Sequence, residues 1–338
     1  MPLLTSQAVR DAAVNDTAEI SIRGIWTRVP TLNIGGNKVI VGGKWLKMAM
    51  VLDEEWQISE IRDPVLCVHT LKGQQFPSLR ADIFTFVQKP PATTPRYEYF
   101  TEWESVAVTS TTSFKDWWEK LPQETRKNVR RSQRRGVTVR LCQLDDELVK
   151  GLVDLNNDSP VRQRRPYAHY GKSFEEVKKD QLSFLDHSDL IGAYFGEELV
   201  GFLKLVYRGE TASILTFLPK ASHYDKRPAN ALIAKAVELC ESKGISFLTY
   251  GLFNYGNKGD CSARVFKTRN GFEEMLVPRF YVPLTLKGRI GLKLNLHRGL
   301  IGIIPHDLIA LGVSLRYKWY NLKQLISRRS LMVEQPRL

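Results

Sequence analysis

Residues 189–218 read DLIGAYFGEELVGFLKLVYRGETASILTFL, and this stretch decides the fold. It holds three apolar runs separated at Gly196 and Gly209, the pattern of three antiparallel strands joined by tight turns. An apolar-faced helix is predicted next, at 227–244, followed by a buried strand at 245–253. A strand that follows such a helix runs roughly parallel to an earlier strand, so the sheet is predicted to be mixed.

The elements on either side of this stretch complete an α/β pattern. A strand at 137–141 and helices at 145–158 and 174–187 precede it, and a short helix at 260–271 and a closing strand at 272–284 follow it. The order β-α-α-β-β-β-α-β-α-β predicts an α/β (α+β) fold, in which helices flank both faces of a mixed sheet.

Three regions are predicted along the 338 residues. Residues 1–115 are β-rich with a Pro-rich loop at 88–97, residues 116–285 hold the α/β pattern, and residues 286–338 form a basic, amphipathic helical tail. This length suits one large domain or two medium ones.

The positive charge is unevenly placed. The net charge is +13, with seven lysines and arginines against one acid in residues 120–136 and ten against two in residues 286–338. The rest of the chain is nearly neutral. These two basic elements predict anionic partners: a phosphate-bearing substrate, tRNA or an acidic membrane face.

The cysteines predict neither a metal site nor a disulfide framework, because the four of them form no Cys-x-x-Cys pair. We therefore expect a protein without a metal, in a reducing compartment. Neither a signal peptide nor an apolar span of about 18 residues is evident. The expected location is cytoplasmic, with peripheral contact at the inner face of the membrane as an alternative.

Three motifs resemble the GNAT acyltransferase superfamily, in particular its FemAB-like branch and GNAT-type proteins encoded with bacterial polysaccharide genes. They are RRGV (134–137), GFLKLVYRGETASIL (201–215) before RPANALI (227–233), and FKTRNGF (266–272) before the last strand. The resemblance covers roughly residues 115–285 and implies a GNAT-like fold there. FemAB-like proteins carry two GNAT-like halves, so a reduced first half is one interpretation of residues 1–115.

The resemblance implies an N- or O-acyltransferase that acts on an amine or hydroxyl of a cell-envelope or polysaccharide precursor. It leaves the donor open between acyl-CoA and aminoacyl-tRNA. A Gly-rich loop usually binds the coenzyme A pyrophosphate at the start of the long helix, whereas PKASHYDKRPAN (219–230) has no glycine. The alternative is an inactive module that binds RNA or a lipid- or nucleotide-linked glycan. No DNA-reading motif is evident, so no DNA partner is expected.

Three residues are candidates for catalytic roles. The resemblance places Lys267, the lysine of the FK motif, in a substrate channel, where a cation would hold a phosphate or an oxyanion; the alternative is a solvated helix lysine. His223 precedes the long helix and is a candidate general base or a local cap. Tyr250 ends a buried strand and is a candidate to face the ligand.

Substrate binding is predicted in the loop at 159–172, because arginines suit phosphate or carboxylate and tyrosines stack on rings. The candidates in this loop are Arg162, Arg165, Tyr167 and Tyr170. The alternative is an exposed basic loop that pairs with acids of the next helix. Asn230, in the first turn of the long helix, is a candidate for a ligand carbonyl or a cap.

The basic segment TRKNVRRSQRRGV (125–137) is predicted to be mostly helical, with Arg126 and Arg130 one turn apart on one face. Both are candidates to bind a ligand phosphate or tRNA, and a solvated connecting helix is the alternative.

The tail at 286–338 alternates apolar clusters with bases. It is predicted either to contact an anionic membrane or to form a helical lid on the α/β region.

Overall fold

The computed structural model describes residues 14–22, 25–56, 60–61, 63–74, 77–162, 165–254 and 262–299. Its strands are β1 (Val14–Ile22), β2 (Ile25–Ile34), β3 (Asn37–Gly42), β4 (Met48–Val51), β5 (Ile83–Val87), β6 (Phe100–Ser110), β7 (Val137–Cys142), β8 (Val161–Arg162), β9 (Arg165–Pro166), β10 (Ser188–Phe195), β11 (Glu198–Arg208), β12 (Thr211–Pro219), β13 (Phe247–Leu252) and β14 (Glu273–Pro283). Its α-helices are α1 (Pro64–Lys72), α2 (Phe114–Lys120), α3 (Gln123–Arg134), α4 (Asp146–Asn157), α5 (Phe174–Leu182), α6 (Pro228–Ser242), α7 (Ser262–Arg269) and α8 (Leu286–Lys293). Short 3-10 helices lie at Leu185–His187, Ala221–Lys226 and Leu296–Arg298.

Twelve of these strands form one continuous mixed sheet. Their order is β1-β2-β3-β4-β5-β14-β6-β13-β12-β11-β10-β7, and β8 and β9 form a separate small ladder. The sheet and its flanking helices confirm the predicted α/β fold class.

The two ends of the sheet repeat one pattern. β2, β3 and β4 form an antiparallel meander that is followed by α1 and by β5, which runs parallel to β4. β10, β11 and β12 form the second meander, followed by α6 and by β13, which runs parallel to β12. β14 then pairs with β5, and β6 pairs with β13. Each pattern therefore ends on a strand from the other half of the chain.

One continuous sheet spans the predicted boundary at residue 115. β14 belongs to the region predicted at 116–285, yet it pairs with β5 and β6 of residues 1–115. The sheet is thus shared by both regions, and the division at 115 and 285 stays a prediction.

Helix α1 was not predicted in the β-rich region. Its cap explains why this short segment is helical: the Asp63 side chain accepts a hydrogen bond from the Leu66 N–H, and Pro64 occupies the first turn. The helix buries Cys67 and Leu71 against the first meander, in a core cluster that includes Phe84.

Helices cover both faces of the second half of the sheet. Leu203 of β11 packs with Leu232 and Val237 of α6, and the adjacent Phe202 packs with Leu152 of α4. Because neighbouring strand residues point to opposite faces, α6 and α4 lie on opposite sides of the sheet.

The basic segment forms α3, as predicted, and this helix packs on the α6 side. Thr125 and Ser132 are buried, and the Thr125 hydroxyl donates to the Arg269 carbonyl at 2.8 Å. The helix ends before Gly136, whose φ of +83° is a conformation that glycine adopts without strain.

Helix α8 packs through its glycines. A methyl group on Gly288 would overlap the Asp82 carbonyl, and one on Gly291 would lie 2.9 Å from Leu46. The helix therefore approaches the loop at 43–47 and the start of β5 more closely than any side chain would allow.

No helix in the described part of the chain is long and apolar enough to cross a membrane. Residues 300–338 of the predicted tail lie outside the described residues.

The close approach of α8 predicts the effect of one added methyl group. We expect Gly288→Ala to lower the free energy of unfolding by about 1–3 kcal/mol, because backbone must move to accommodate the side chain. Urea denaturation measures the change. Gly42→Ala is the matched control, since nothing lies within 4 Å of its added carbon. Equal stability of the two variants would contradict the described packing of α8.

Candidate active site

A cleft opens where two parallel strands separate. β12 and β13 pair only between Thr211–Ser213 and Phe247–Thr249. Beyond this point β12 stays with β11, whereas β13 follows β6. The gap leads into a cleft of about 1550 Å³, and its lining comes from both halves of the sheet.

A β-bulge breaks the ladder of β12 at the cleft. Lys204 pairs with Thr216 and Leu205 pairs with Ile214, so Leu215 is the additional residue between them. Leu215 lines the cleft. The additional residue of a bulge is left unpaired in its ladder, which makes the backbone N–H of Leu215 a candidate donor to a ligand in the cleft.

Aromatic side chains form one wall of the cleft. The rings of Phe217 and Tyr250 lie 5.5 Å apart, and Phe266 lies 5.6 Å from Phe217. All three line the cleft. Tyr250, predicted from its place at the end of a buried strand, is therefore part of this wall.

Lys267 lies beneath the wall. Its ammonium donates to the carbonyls of Tyr250 and Leu252, each at 2.6 Å, and lies 4.4 Å from the Tyr250 ring centre. The residue is buried and is not among the described residues that line the cleft. These contacts position the end of β13, and contact between Lys267 and a substrate stays a prediction.

Arg162 and Tyr167 lie together in the lining of the cleft. The Arg162 guanidinium donates to the carbonyls of Leu155 (2.8 Å) and Pro219 (3.1 Å) and lies 4.8 Å from the Tyr167 ring centre. The Tyr167 hydroxyl donates to Asn156 at 2.9 Å. Arg162 thus holds the loop after α4 against the end of β12.

The other two candidates of this loop occupy different places. Arg165 lies in β9 and pairs with Arg162 in the small ladder. Tyr170 is exposed and is not among the described residues that line the cleft.

Asp180 of α5 connects the N-terminal hairpin of β1 and β2 to the cleft. It accepts hydrogen bonds from Trp26 Nε1 (3.0 Å) and Lys172 Nζ (2.7 Å), and His169 Nδ1 lies 3.0 Å away. Burial opposes ionisation, but the bonds from His169 and Lys172 hold the pKa of Asp180 below its usual value. An ionised Asp180 therefore fixes the hairpin over the cleft.

The N-terminus of α6 faces the cleft with few free backbone donors. Arg227 has a φ of +57°, and its N–H donates to the Tyr224 carbonyl at 3.2 Å. Pro228 has no N–H, and the Asn230 N–H donates to the Arg227 carbonyl at 3.2 Å. Of the first three helical positions, Ala229 alone can offer its N–H to a ligand.

Two side chains at this helix end differ in their availability. Arg227 lines the cleft, and its guanidinium forms no ion pair or hydrogen bond within the described residues. Asn230 also lines the cleft, but its amide nitrogen donates to Asn270 at 3.0 Å. Arg227 is therefore the more available group for an anion.

Asp53 contributes a carboxylate from the first half of the sheet. It lines the cleft, and it has no ion pair within the described residues. The residue is open to the cleft, yet partial burial of its carboxyl group raises its pKa. Its φ of +55° is uncommon outside glycine, asparagine and aspartate, and such conformations cluster at functional sites.

The remaining candidates lie away from the cleft lining in the described residues. The His223 ring lies 3.1 Å from the Ser222 hydroxyl and 3.4 Å from Glu198. Arg126 and Arg130 lie on α3, and Arg130 stacks 5.5 Å from the Trp118 ring centre. The structure therefore brings Arg162, Tyr167, Asn230 and Tyr250 together in the cleft lining. His223, Arg126 and Arg130 lie elsewhere.

No cluster of three His, Cys, Asp or Glu side chains suited to a metal occurs among the described residues.

Comparison with known proteins identifies the fold. No family model matches the chain, and no curated protein matches it by sequence. A similar solved structure is the C-terminal domain of a protein from Agrobacterium fabrum described as a lysylphosphatidylglycerol synthetase, with a TM-score of 0.52 and 13% identity over 79% of this chain and 88% of that one. L-PGS from Bacillus licheniformis matches with a TM-score of 0.50 and 14% identity, over 80% of this chain and 87% of that one. FemX matches with a TM-score of 0.46 and 10% identity, over 84% of this chain and 91% of that one.

At these identities the likeness concerns the fold alone. The chain has a GNAT-like fold, as the sequence resemblance implied.

The position of Lys267 predicts a loss of stability when its ammonium is removed. Lys267→Met keeps most of the side-chain volume but deprives two backbone carbonyls of their donor. We expect the free energy of unfolding to fall by about 2–4 kcal/mol, measured by urea denaturation. Lys235→Met, which removes an ion pair to Glu238, is the control and should change it by less than about 1 kcal/mol. Similar stability of both variants would show that Lys267 does not hold the end of β13.

Proposed function

We propose that the chain is an N- or O-acyltransferase of the GNAT/FemAB-like type. The observation that carries the proposal is the bulge at Leu215 in a cleft between diverging parallel strands. Acyl transfer builds negative charge on the carbonyl oxygen of the donor. A fixed backbone N–H directed at that oxygen stabilises the charge without having to reorient. An amide at the bulge is suited to this role.

Asp53 is proposed as the general base. An acceptor amine must lose a proton when it attacks the acyl group, and a carboxylate of raised pKa is a stronger base than an ordinary one. Asp53 reaches the cleft from the turn after β4, in the first half of the sheet. The hydroxyl of Tyr250 is proposed to hydrogen-bond to the reacting groups.

The structure of the α6 N-terminus favours aminoacyl-tRNA over acyl-CoA as the donor. A coenzyme A pyrophosphate needs several free backbone N–H groups at a helix N-terminus, and α6 offers that of Ala229 alone among its first three positions. Arg227 supplies a cation there instead. The guanidinium of Arg135, at the end of α3, donates to the Asp225 carbonyl at 2.6 Å. A polyanion that reaches the cleft past Arg227 would therefore meet α3, and we propose that Arg126 and Arg130 bind its phosphates.

The acceptor is proposed to be an amine or hydroxyl of a cell-envelope or polysaccharide precursor. The cleft is large enough for a substrate of that size. The name lysylphosphatidylglycerol synthetase denotes an enzyme whose product is a phospholipid that carries lysine. Envelope lipids are therefore one class of acceptor to test.

The second candidate function is a binding module without catalysis. It is favoured by the same shortage of free N–H groups at the start of α6, because loss of a donor site would leave the fold as a binding surface for RNA or a linked glycan.

The donor assignment can be tested by thermal shift of the full chain. We expect aminoacyl-tRNA to raise the Tm more than acetyl-CoA, uncharged tRNA or nucleotide sugars do, because a ligand stabilises the state that binds it. Arg227→Asn should weaken donor binding about fivefold or more, and asparagine tolerates the positive φ at this position. Arg80→Asn is the control, since Arg80 is exposed and outside the cleft lining.

Two results would redirect the proposal. Stabilisation by acetyl-CoA but not by aminoacyl-tRNA would exclude the proposed donor and retain acyl transfer. Stabilisation by RNA or a glycan with no response to any acyl donor would favour the binding module.

The role of Asp53 predicts a selective loss of turnover. Asp53→Asn keeps a side chain that accepts the same φ, so the Tm should change little. We expect the rate of acyl transfer from the stabilising donor to fall about 10²–10⁴-fold, as for loss of a general base. Asp154→Asn, at an exposed position of α4 outside this cleft, should keep the wild-type rate. A wild-type rate for Asp53→Asn would remove this residue from the mechanism.

A further inference from the structure

Helix α8 presents two of its three large apolar side chains to solvent. Its buried positions are Gly288, Gly291 and Leu292. Leu286, Ile290 and the following Leu294 are 71%, 48% and 60% exposed. A surface helix ordinarily directs its large apolar residues to the core, so the orientation of α8 is the reverse of the usual one.

The exposed apolar residues lie on one face. Positions 286, 290 and 294 are each four residues apart, which places them in adjacent turns on one side of a helix. Trp45 is also exposed, at 61%, and Lys287 stacks 5.1 Å from its ring centre. We refer to Trp45, Leu286, Ile290 and Leu294 as the α8 face.

Cations surround the α8 face. Arg289 and Lys293 are exposed and have no ion pair within the described residues, and Lys44 adjoins Trp45. Asp82, the acid at the base of the helix, is already bonded to the Lys47 N–H and the Thr285 hydroxyl. The face is therefore apolar at its centre and positive at its edge.

We propose that the α8 face docks the protein on an anionic lipid bilayer. Leucine and isoleucine side chains would enter the boundary between headgroups and acyl chains, Trp45 would lie at the headgroup level, and the surrounding cations would contact lipid phosphates. The sequence beyond α8 is also positively charged, with six lysines and arginines against two acids in residues 300–338. Charge complementarity favours anionic lipid over a second copy of this chain, which would carry the same positive edge.

Membrane docking by the α8 face is independent of the proposed chemistry. Helix α8 lies at the strand ends where β5 starts and β14 ends, and the described residues that line the cleft do not include α8. Failure of membrane binding would leave the acyltransferase proposal intact, and loss of transfer in Asp53→Asn would leave the membrane proposal intact.

The test measures co-sedimentation of the full chain with vesicles of phosphatidylglycerol and phosphatidylcholine, and with phosphatidylcholine alone. We expect binding to the anionic vesicles, weaker binding to the neutral ones, and a fall with added salt. The triple variant Leu286→Ser, Ile290→Ser, Leu294→Ser should lower the partition coefficient at least about tenfold, because it removes the apolar contact while retaining every charge. Arg289→Gln with Lys293→Gln should lower it for anionic vesicles only.

The matched control is the triple variant Val65→Ser, Leu141→Ser, Leu276→Ser. These residues are 59%, 50% and 46% exposed but lie outside the α8 face, so vesicle binding should stay at the wild-type level. Wild-type binding by the α8-face variant would overturn the proposal, as would equal losses in the two triple variants.

Sedimentation velocity without lipid tests the alternatives to lipid as the partner of the α8 face. A wild-type dimer that the α8-face variant converts to a monomer, with no vesicle binding, would assign the face to a second copy. A monomer that binds no vesicles would leave the chain's own residues 300–338 or another protein as the occupant of the face. Either result would overturn the proposal.

Discussion

The two halves of the sheet exchange one strand each at its centre, and the rest of the structure depends on this exchange. β14 completes the first half by pairing with β5, and β6 completes the second half by pairing with β13. Arg279 of β14 lies 3.3 Å from Glu54 and 3.1 Å from Glu104, and it therefore joins the turn after β4 to β6. Glu54 is adjacent to Asp53. The contacts that hold the halves together thus also position a carboxylate in the cleft.

Local sequence pattern was sufficient to predict most of the fold. The meander, α6 and the strand after it each carry a period or a turn signal within about 15 residues. Helix α1 was missed because its short apolar run fits a buried strand equally well, and its local signals were limited to the Asp63 cap and Pro64. Which strands meet at the centre could not be predicted, because no local pattern records the pairing of β14 with β5.

Prediction of the candidate site was less complete for the same reason. Tyr250, Arg162, Tyr167 and Asn230 were found from residue type and from their places at element ends, and all four line the cleft. The bond between Trp26 and Asp180 joins positions 154 residues apart, so neither was identified. Asp53 was missed because its significance depends on a positive φ and a raised pKa, which appear only in three dimensions. Arg126 and Arg130 were chosen for their charge and their helical spacing, and neither reveals which side of the sheet they occupy.

The exchanged strands also constrain how the protein is made. On the ribosome, β6 emerges long before either of its partners, since Ser110 pairs with Phe247 and Phe100 pairs with Tyr281. Until then both edges of an eleven-residue strand are without their native neighbours. Long-range pairing of this kind slows folding, and open strand edges associate readily with other chains. The architecture therefore concentrates the danger of aggregation in the period before β14 is synthesised, when a nascent chain would depend most on a chaperone.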